Sequence, residues 1–123
     1  MNVLTDLEQC GIKMWAKPTK ADLATMPGLH TTKGDKDTLV RGHFFLGSCD
    51  WFVTEYDPED KIFFGFAILN ADYEMAEWGN ISLTELESLK VGGFMEVDYD
   101  KHWEKKPVKD VEKIVQGGGV YEN

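Results

Sequence analysis

Apolar and polar residues alternate along residues 38–69 with the period of a β-strand, and two short polar turns interrupt them. Residues 38–46, Thr-Leu-Val-Arg-Gly-His-Phe-Phe-Leu, have strand composition. Gly47-Ser48 follows, a pair suited to a two-residue hairpin because glycine tolerates the positive φ needed at its first position. In the partner strand, residues 49–56, alternation places Cys49, Trp51, Val53 and Glu55 on one face and Asp50, Phe52, Thr54 and Tyr56 on the other. Asp57-Pro58-Glu59-Asp60 makes the next turn, with proline where its fixed φ is favoured. Residues 62–69 are apolar on both faces, interrupted only by Gly65, which predicts a central strand. Three consecutive strands on short turns make an antiparallel meander.

Helix signals flank this sheet. Thr19 is an N-cap for residues 20–26, with Leu23 and Met26 on one face and a stop near Pro27-Gly28. Ser82-Leu83-Thr84-Glu85 reads as a capping box that opens a helix to about Leu89, with Leu83, Leu86 and Leu89 as its buried stripe. Residues 77–81 add a short strand. Residues 94–99 add another, with Glu96, Asp98 and Asp100 at alternate positions. Pro107 begins a last helix carrying Val108, Val111 and Val115, and Gly117-Gly118-Gly119 is expected to release a flexible tail over residues 116–123. Residues 1–17 are ambiguous: Thr5 and Glu8 have capping-box spacing, but Gly11 leaves barely one turn. The expectation is one α+β domain over residues 1–123, an antiparallel meander with two to three short helices packed on one side.

Charge changes this picture more than composition does. Residues 1–42 carry a net charge of +1 and residues 43–123 carry −10, which gives the chain its −9. Such a surface repels phosphates, so direct nucleic-acid binding is not expected; it suits a basic protein partner, a divalent cation or simple solubility. The longest apolar run, residues 62–69, is far short of the roughly 20 residues of a membrane-spanning helix. No secretion signal is visible at the N-terminus, and Cys10 and Cys49 are most economically read as reduced thiols, so a cytoplasmic location is expected.

Two acidic sets are the candidates for binding. Glu55, Asp57, Glu59 and Asp60 crowd one turn, where oxygen ligands suit a hard cation, although the glycine and terminal glutamate of a calcium loop are missing. Asp72, Glu74 and Glu77 flank Trp78, which reads either as the rim of a ligand pocket or as a core-closing aromatic beside solvated acids. The selected binding residues are Glu55, Asp57, Glu59, Glu77 and Trp78. His43 falls on the face opposite Cys49 once Gly47-Ser48 sets the hairpin, which argues against a nucleophile–base dyad. Three scattered histidines, no Cys-x-x-Cys and no phosphate-binding glycine motif leave no metal site, cofactor or catalytic constellation to assign.

The run Cys49-Asp50-Trp51-Phe52-Val53-Thr54-Glu55-Tyr56-Asp57-Pro58-Glu59, then Phe63-Phe64-Gly65, then residues 77–87, resembles a small bacterial and bacteriophage family known as domain of unknown function 2958. Lys17-Pro18-Thr19 upstream, and Glu96-Val97-Asp98 and residues 107–111 downstream, extend the resemblance over residues 14–114. Asn80 departs from the aromatic usual at its position in that family. The resemblance implies an accessory cytoplasmic protein of a phage, plasmid or other mobile element and brings no catalytic residues. The leading expectation is therefore a non-enzymatic acidic interaction domain for a basic protein partner; its sharper form is a nucleic-acid mimic acting on a host or defence protein. The competing expectation is a small-ligand- or divalent-metal-binding enzyme, which requires the Glu55–Asp57 and Glu77–Trp78 segments to converge in one pocket.

Overall fold

In the computed structural model, which describes residues 15–32, 37–92 and 95–120, the first described elements are α1 (Lys20–Ala24), β1 (Leu39–Val40), β2 (Gly42–Leu46), β3 (Cys49–Asp57) and β4 (Ile62–Ile68). It continues through β5 (Glu77–Ser82), α2 (Leu83–Ser88), β6 (Lys90–Val91), β7 (Met95–Glu96), β8 (Asp98–Tyr99) and β9 (Lys106–Pro107). A 3-10 turn (Val108–Asp110) and α3 (Glu112–Gln116) close it. The Thr5–Glu8 motif and Cys10 lie outside the described residues.

Turn chemistry sets the centre. Gly47 adopts φ 57° in the hairpin turn, which fixes Leu46 opposite Cys49 and His43 opposite Phe52. β4 pairs with β3 on one side and β5 on the other, and the five-stranded sheet runs β5-β4-β3-β2-β8, antiparallel throughout. The expected meander and α+β class are both present. The expected strand over residues 38–46 is broken at Arg41, and β1 leaves the main sheet to pair with β9. β6 and β7 form a separate two-stranded pair.

One extra residue in β3 reassigns its far end. Val53 faces Gly65, but Glu55 faces Phe64, so Thr54 is the inserted residue of a β-bulge. Its hydroxyl donates to the Phe64 carbonyl at 3.2 Å. Beyond it the parity is reversed: Tyr56 joins Trp51 and Val53 in one core cluster, while Glu55 moves to the face of Phe52 and Asp50. The strands approach closely here, since a Cβ on Gly65 would sit 2.3 Å from the Phe52 carbonyl oxygen. Only glycine fits there.

The core has two halves, one on each face of the sheet. Phe44, Trp51, Val53, Tyr56 and Phe63 pack with Leu83 and Leu86 of α2, and Leu23 of α1 rests against them. Phe52, Phe66 and Ile68 pack with Val108, Val111 and Ile114 from the C-terminal segment. The helices therefore divide between both faces rather than sharing one side, because Val108, Val111 and Ile114 supply a second apolar stripe; Val115, expected on it, is exposed. Thr19 and Asp22 form a reciprocal capping box; at Ser82 only half of the expected box is seen, Ser82 Oγ accepting the Glu85 N–H, and Leu89, expected in the buried stripe, lies past the helix end and is exposed.

The C-terminal glycines are docked. The Gly119 N–H bonds to the Ile114 carbonyl at 2.9 Å, and the Gly119 carbonyl accepts from the Trp78 indole at 2.7 Å. Phe66 and Ile114 leave no room for a side chain at Gly119, where a Cβ would lie 2.6 Å from the Phe66 ring. Over residues 117–120, then, the glycine run is a packing element and not a free tail; residues 121–123 lie outside the described set. No helix among the described residues is long and apolar enough to cross a membrane.

Candidate functional site

The bulge decides what the first acidic set can do. It turns Glu55 inward, where it is fully buried. The carboxylate accepts the backbone N–H groups of His30 at 3.0 Å and Thr32 at 2.5 Å, and the Thr32 hydroxyl at 2.6 Å. Glu55 therefore ties the 28–32 loop to the sheet. Asp57 stays at the strand end, where its Oδ1 accepts the Glu59 N–H at 3.0 Å, and Glu59 and Asp60 are exposed beside it.

The second set lies at the other end of the sheet. Asp57 registers with Ile62 and Glu77 with Ala67, positions five residues apart on β4, or about 17 Å at the rise of a strand. Trp78 turns to the opposite face, stacked on Phe64 with ring centroids 5.5 Å apart and bonded to Gly119. Glu77 and Asp72 line a surface recess of about 230 Å³ with Ala67, Leu69, Asn70 and Met75. The five selected residues thus belong to three places: a buried anchor, a solvated turn and a strand edge. The convergence that a carboxylate-rich enzyme pocket requires is not there.

A different acidic grouping is built by the fold. The Leu83 N–H bonds to the Lys61 carbonyl at 3.0 Å, which seats the start of α2 against the β3–β4 turn. Exposed Glu85 and Glu87 on the helix thereby join Asp57, Glu59 and Asp60 at one end of the sheet. Their field reaches inward: Tyr56 is held above its usual pKa by burial first, then by the charges of Glu87 and Asp57. Lys17 pairs with Glu87 at 3.7 Å, with both side chains about half exposed, so the carboxylate remains largely solvated.

A polar cluster on the other face was missed in the sequence. Asp50 is buried, and its carboxylate accepts from His43 Nε2 at 2.7 Å and from Lys113 Nζ at 2.9 Å. Burial pushes the Asp50 carboxyl up, but the hydrogen bonds from His43 and Lys113, with their charges, outweigh it and leave its pKa below the usual value. The imidazole stacks on Phe52 at 4.5 Å and meets Trp103 at 5.3 Å. Its Nδ1 lies 3.6 Å from Asp100 Oδ2 and has no hydrogen-bond partner among the described residues. The signal was available: with His43 opposite Phe52, strand parity puts Asp50 on the same face as His43.

This arrangement has the ingredients of a general base, but it lacks a nucleophile. Cys49 lies on the opposite face, where its sulfur accepts the Asn70 N–H at 3.4 Å. Asp50 works as a staple between the sheet and α3. Among the described residues no group of three His, Cys, Asp or Glu side chains is placed to hold a metal ion.

No curated protein and no solved structure matches the chain. A family model does: the one described as Protein of unknown function (DUF2958) matches residues 16–111, and the chain belongs to that family.

Proposed function

We propose that this chain is a non-enzymatic accessory protein of a phage, plasmid or other mobile element, acting in the cytoplasm as an acidic interaction domain for a basic protein partner. One observation carries the reading. The β3–β4 turn and α2 gather Asp57, Glu59, Asp60, Glu85 and Glu87 at one end of the sheet, with Lys17 paired to one of them. Solvated carboxylates grouped in this way create a negative potential that steers and orients a basic surface. The groups best suited to catalysis, His43 and Asp50, are engaged with each other and with Lys113. The mobile-element setting rests on the family resemblance alone. In its sharper form, the acidic end occupies the DNA-binding site of a host or defence protein.

The test is retention of proteins from a bacterial lysate on the immobilised chain at about 0.05 M and about 0.5 M salt. Basic proteins are expected to bind at the lower salt, to leave at the higher, and to be lost when Asp57, Glu59 and Glu87 are all changed to lysine. Retention of nothing at the lower salt, or equal retention by the charge-reversed variant, rejects the reading.

A further inference from the structure

We propose that an uncovered corner of the sheet face, beside β4 and β5, seats an amphipathic basic helix of the partner, which places an apolar anchor in the recess lined by Leu69 and Met75. The inference rests on the basic-partner reading and specifies where and how the partner is held. Trp51, Ala67 and Glu77 are in register across β3, β4 and β5, so their side chains share one face of the sheet. On that face Leu83 and Leu86 of α2 pack with Phe44, Trp51, Val53 and Phe63. At the corner this cover ends. Two residues along β5 from Glu77, a Cβ on Gly79 would meet nothing within 4 Å among the described residues, so the face is open there.

The recess of about 230 Å³ is lined by Ala67, Leu69, Asn70, Asp72, Met75 and Glu77, and in it Leu69 is 51% and Met75 76% exposed. Its wall is held in place. The Ala71 N–H bonds to the Ser48 carbonyl at 2.8 Å, the Asp72 N–H to the Leu69 carbonyl at 3.0 Å, and Asp72 Oδ1 accepts the Met75 N–H at 3.2 Å. Large apolar side chains exposed together beside polar groups mark a contact surface. Pockets that enclose small molecules usually reach about 300–1,000 Å³. This recess is smaller and its apolar walls face water, so it suits a side chain projecting from a partner.

Charge and geometry select the occupant. Asp72 and Glu77 line the recess, Glu74 is exposed next to Met75, and residues 62–89 contain no lysine, arginine or histidine. A basic segment is attracted there, whereas a second copy of this chain, with a net charge of −9, is repelled. The larger recess of about 370 Å³ at Val115 and Val120 carries Lys109 and no carboxylate, the wrong sign for the same partner. A sheet face takes a helix laid on it, as it takes α2, while an extended segment would need the sheet edge. A helix with one apolar stripe and lysines on both flanks meets the apolar seat and the acidic rim together.

The probe is a capped peptide of about 14 leucines and lysines at helical spacing, titrated into the isotope-labelled full chain and followed by NMR. Expected are shifts at Ala67, Leu69, Met75, Glu77 and Gly79, contacts between peptide leucines and the Met75 methyl, and no shifts at Lys109 and Val115. The paired substitutions Leu69→Lys and Met75→Lys, both at exposed positions, should weaken binding about tenfold while the rest of the spectrum is unchanged. The same peptide with glutamate for lysine should not bind. Equal binding by a peptide that alternates leucine and lysine, or by the doubly substituted chain, would overturn the helix seat. Shifts confined to the acidic end around Asp57 and Glu87 would overturn this inference and leave the basic-partner reading standing. No binding of the lysine peptide would also overturn it, and lysate retention would then judge the basic-partner reading separately. Concentration-dependent shifts at the recess without peptide would overturn it in favour of a second copy.

Discussion

Glu55 and Asp57 are separated by one residue in β3, yet they have opposite surroundings. Glu55 is enclosed and meets three donors; Asp57 caps a turn at the strand end. Removing a buried charged acceptor strands the backbone N–H groups of His30 and Thr32, whereas removing a solvated one exposes nothing new. Glu55→Ala is therefore expected to cost about 2–4 kcal/mol in urea unfolding. Asp57→Ala should cost no more than about 1 kcal/mol. Equal effects of the two substitutions would contradict the buried-anchor assignment. Composition cannot distinguish these carboxylates, because both belong to one acidic run. Their difference comes from Thr54, an inserted residue with no sequence signature of its own.

At the scale of elements, what was legible depended on turns. Gly47-Ser48 fixed the first hairpin and its register, and Asp57-Pro58 marked the next turn, since turn geometry and a period of two leave little freedom; beyond Val53 the bulge shifts the register of β3 against β4. The two capping residues, Thr19 and Ser82, were legible for a similar local reason. Features set by tertiary contact were not. The glycine run at 117–119 reads as a flexible segment by composition, but the Phe66 ring demands small residues there. The same contact reverses the expectation for truncation. Ending the chain at Gln116 uncovers Phe66 and leaves the Trp78 indole without its acceptor, so a loss of roughly 1–3 kcal/mol is expected. An unchanged melting temperature would mean the segment is not docked in solution. Gly65 offers a second check on the bulge. Gly65→Ala forces a methyl against the Phe52 carbonyl, and thermal melting should show a loss of at least about 2 kcal/mol. His43 and Asp50 fall between these cases, because parity placed them on one face but only the folded C-terminal helix brings in Lys113.

For the whole molecule, buried ionisable groups set the acid and alkaline limits of stability, while the excess carboxylates stay outside. Asp50 has a folded pKa below its unfolded value of 3.8, so its contribution is present above that value and is lost as pH falls through the folded one. Tyr99 acts at the other limit. Burial first, then the charges of Asp22 and Asp100, raise it from 10.0 to about 12. A raised pKa means the neutral phenol is favoured by folding: its contribution is complete below pH 10 and declines as pH rises toward about 12. Tyr56 is shifted in the same direction and adds to the decline. Urea midpoints measured across pH should therefore fall above pH 10 in the native chain, and Tyr99→Phe should flatten that fall without removing the share of Tyr56. Identical alkaline limbs in the two proteins would place the Tyr99 hydroxyl in contact with water.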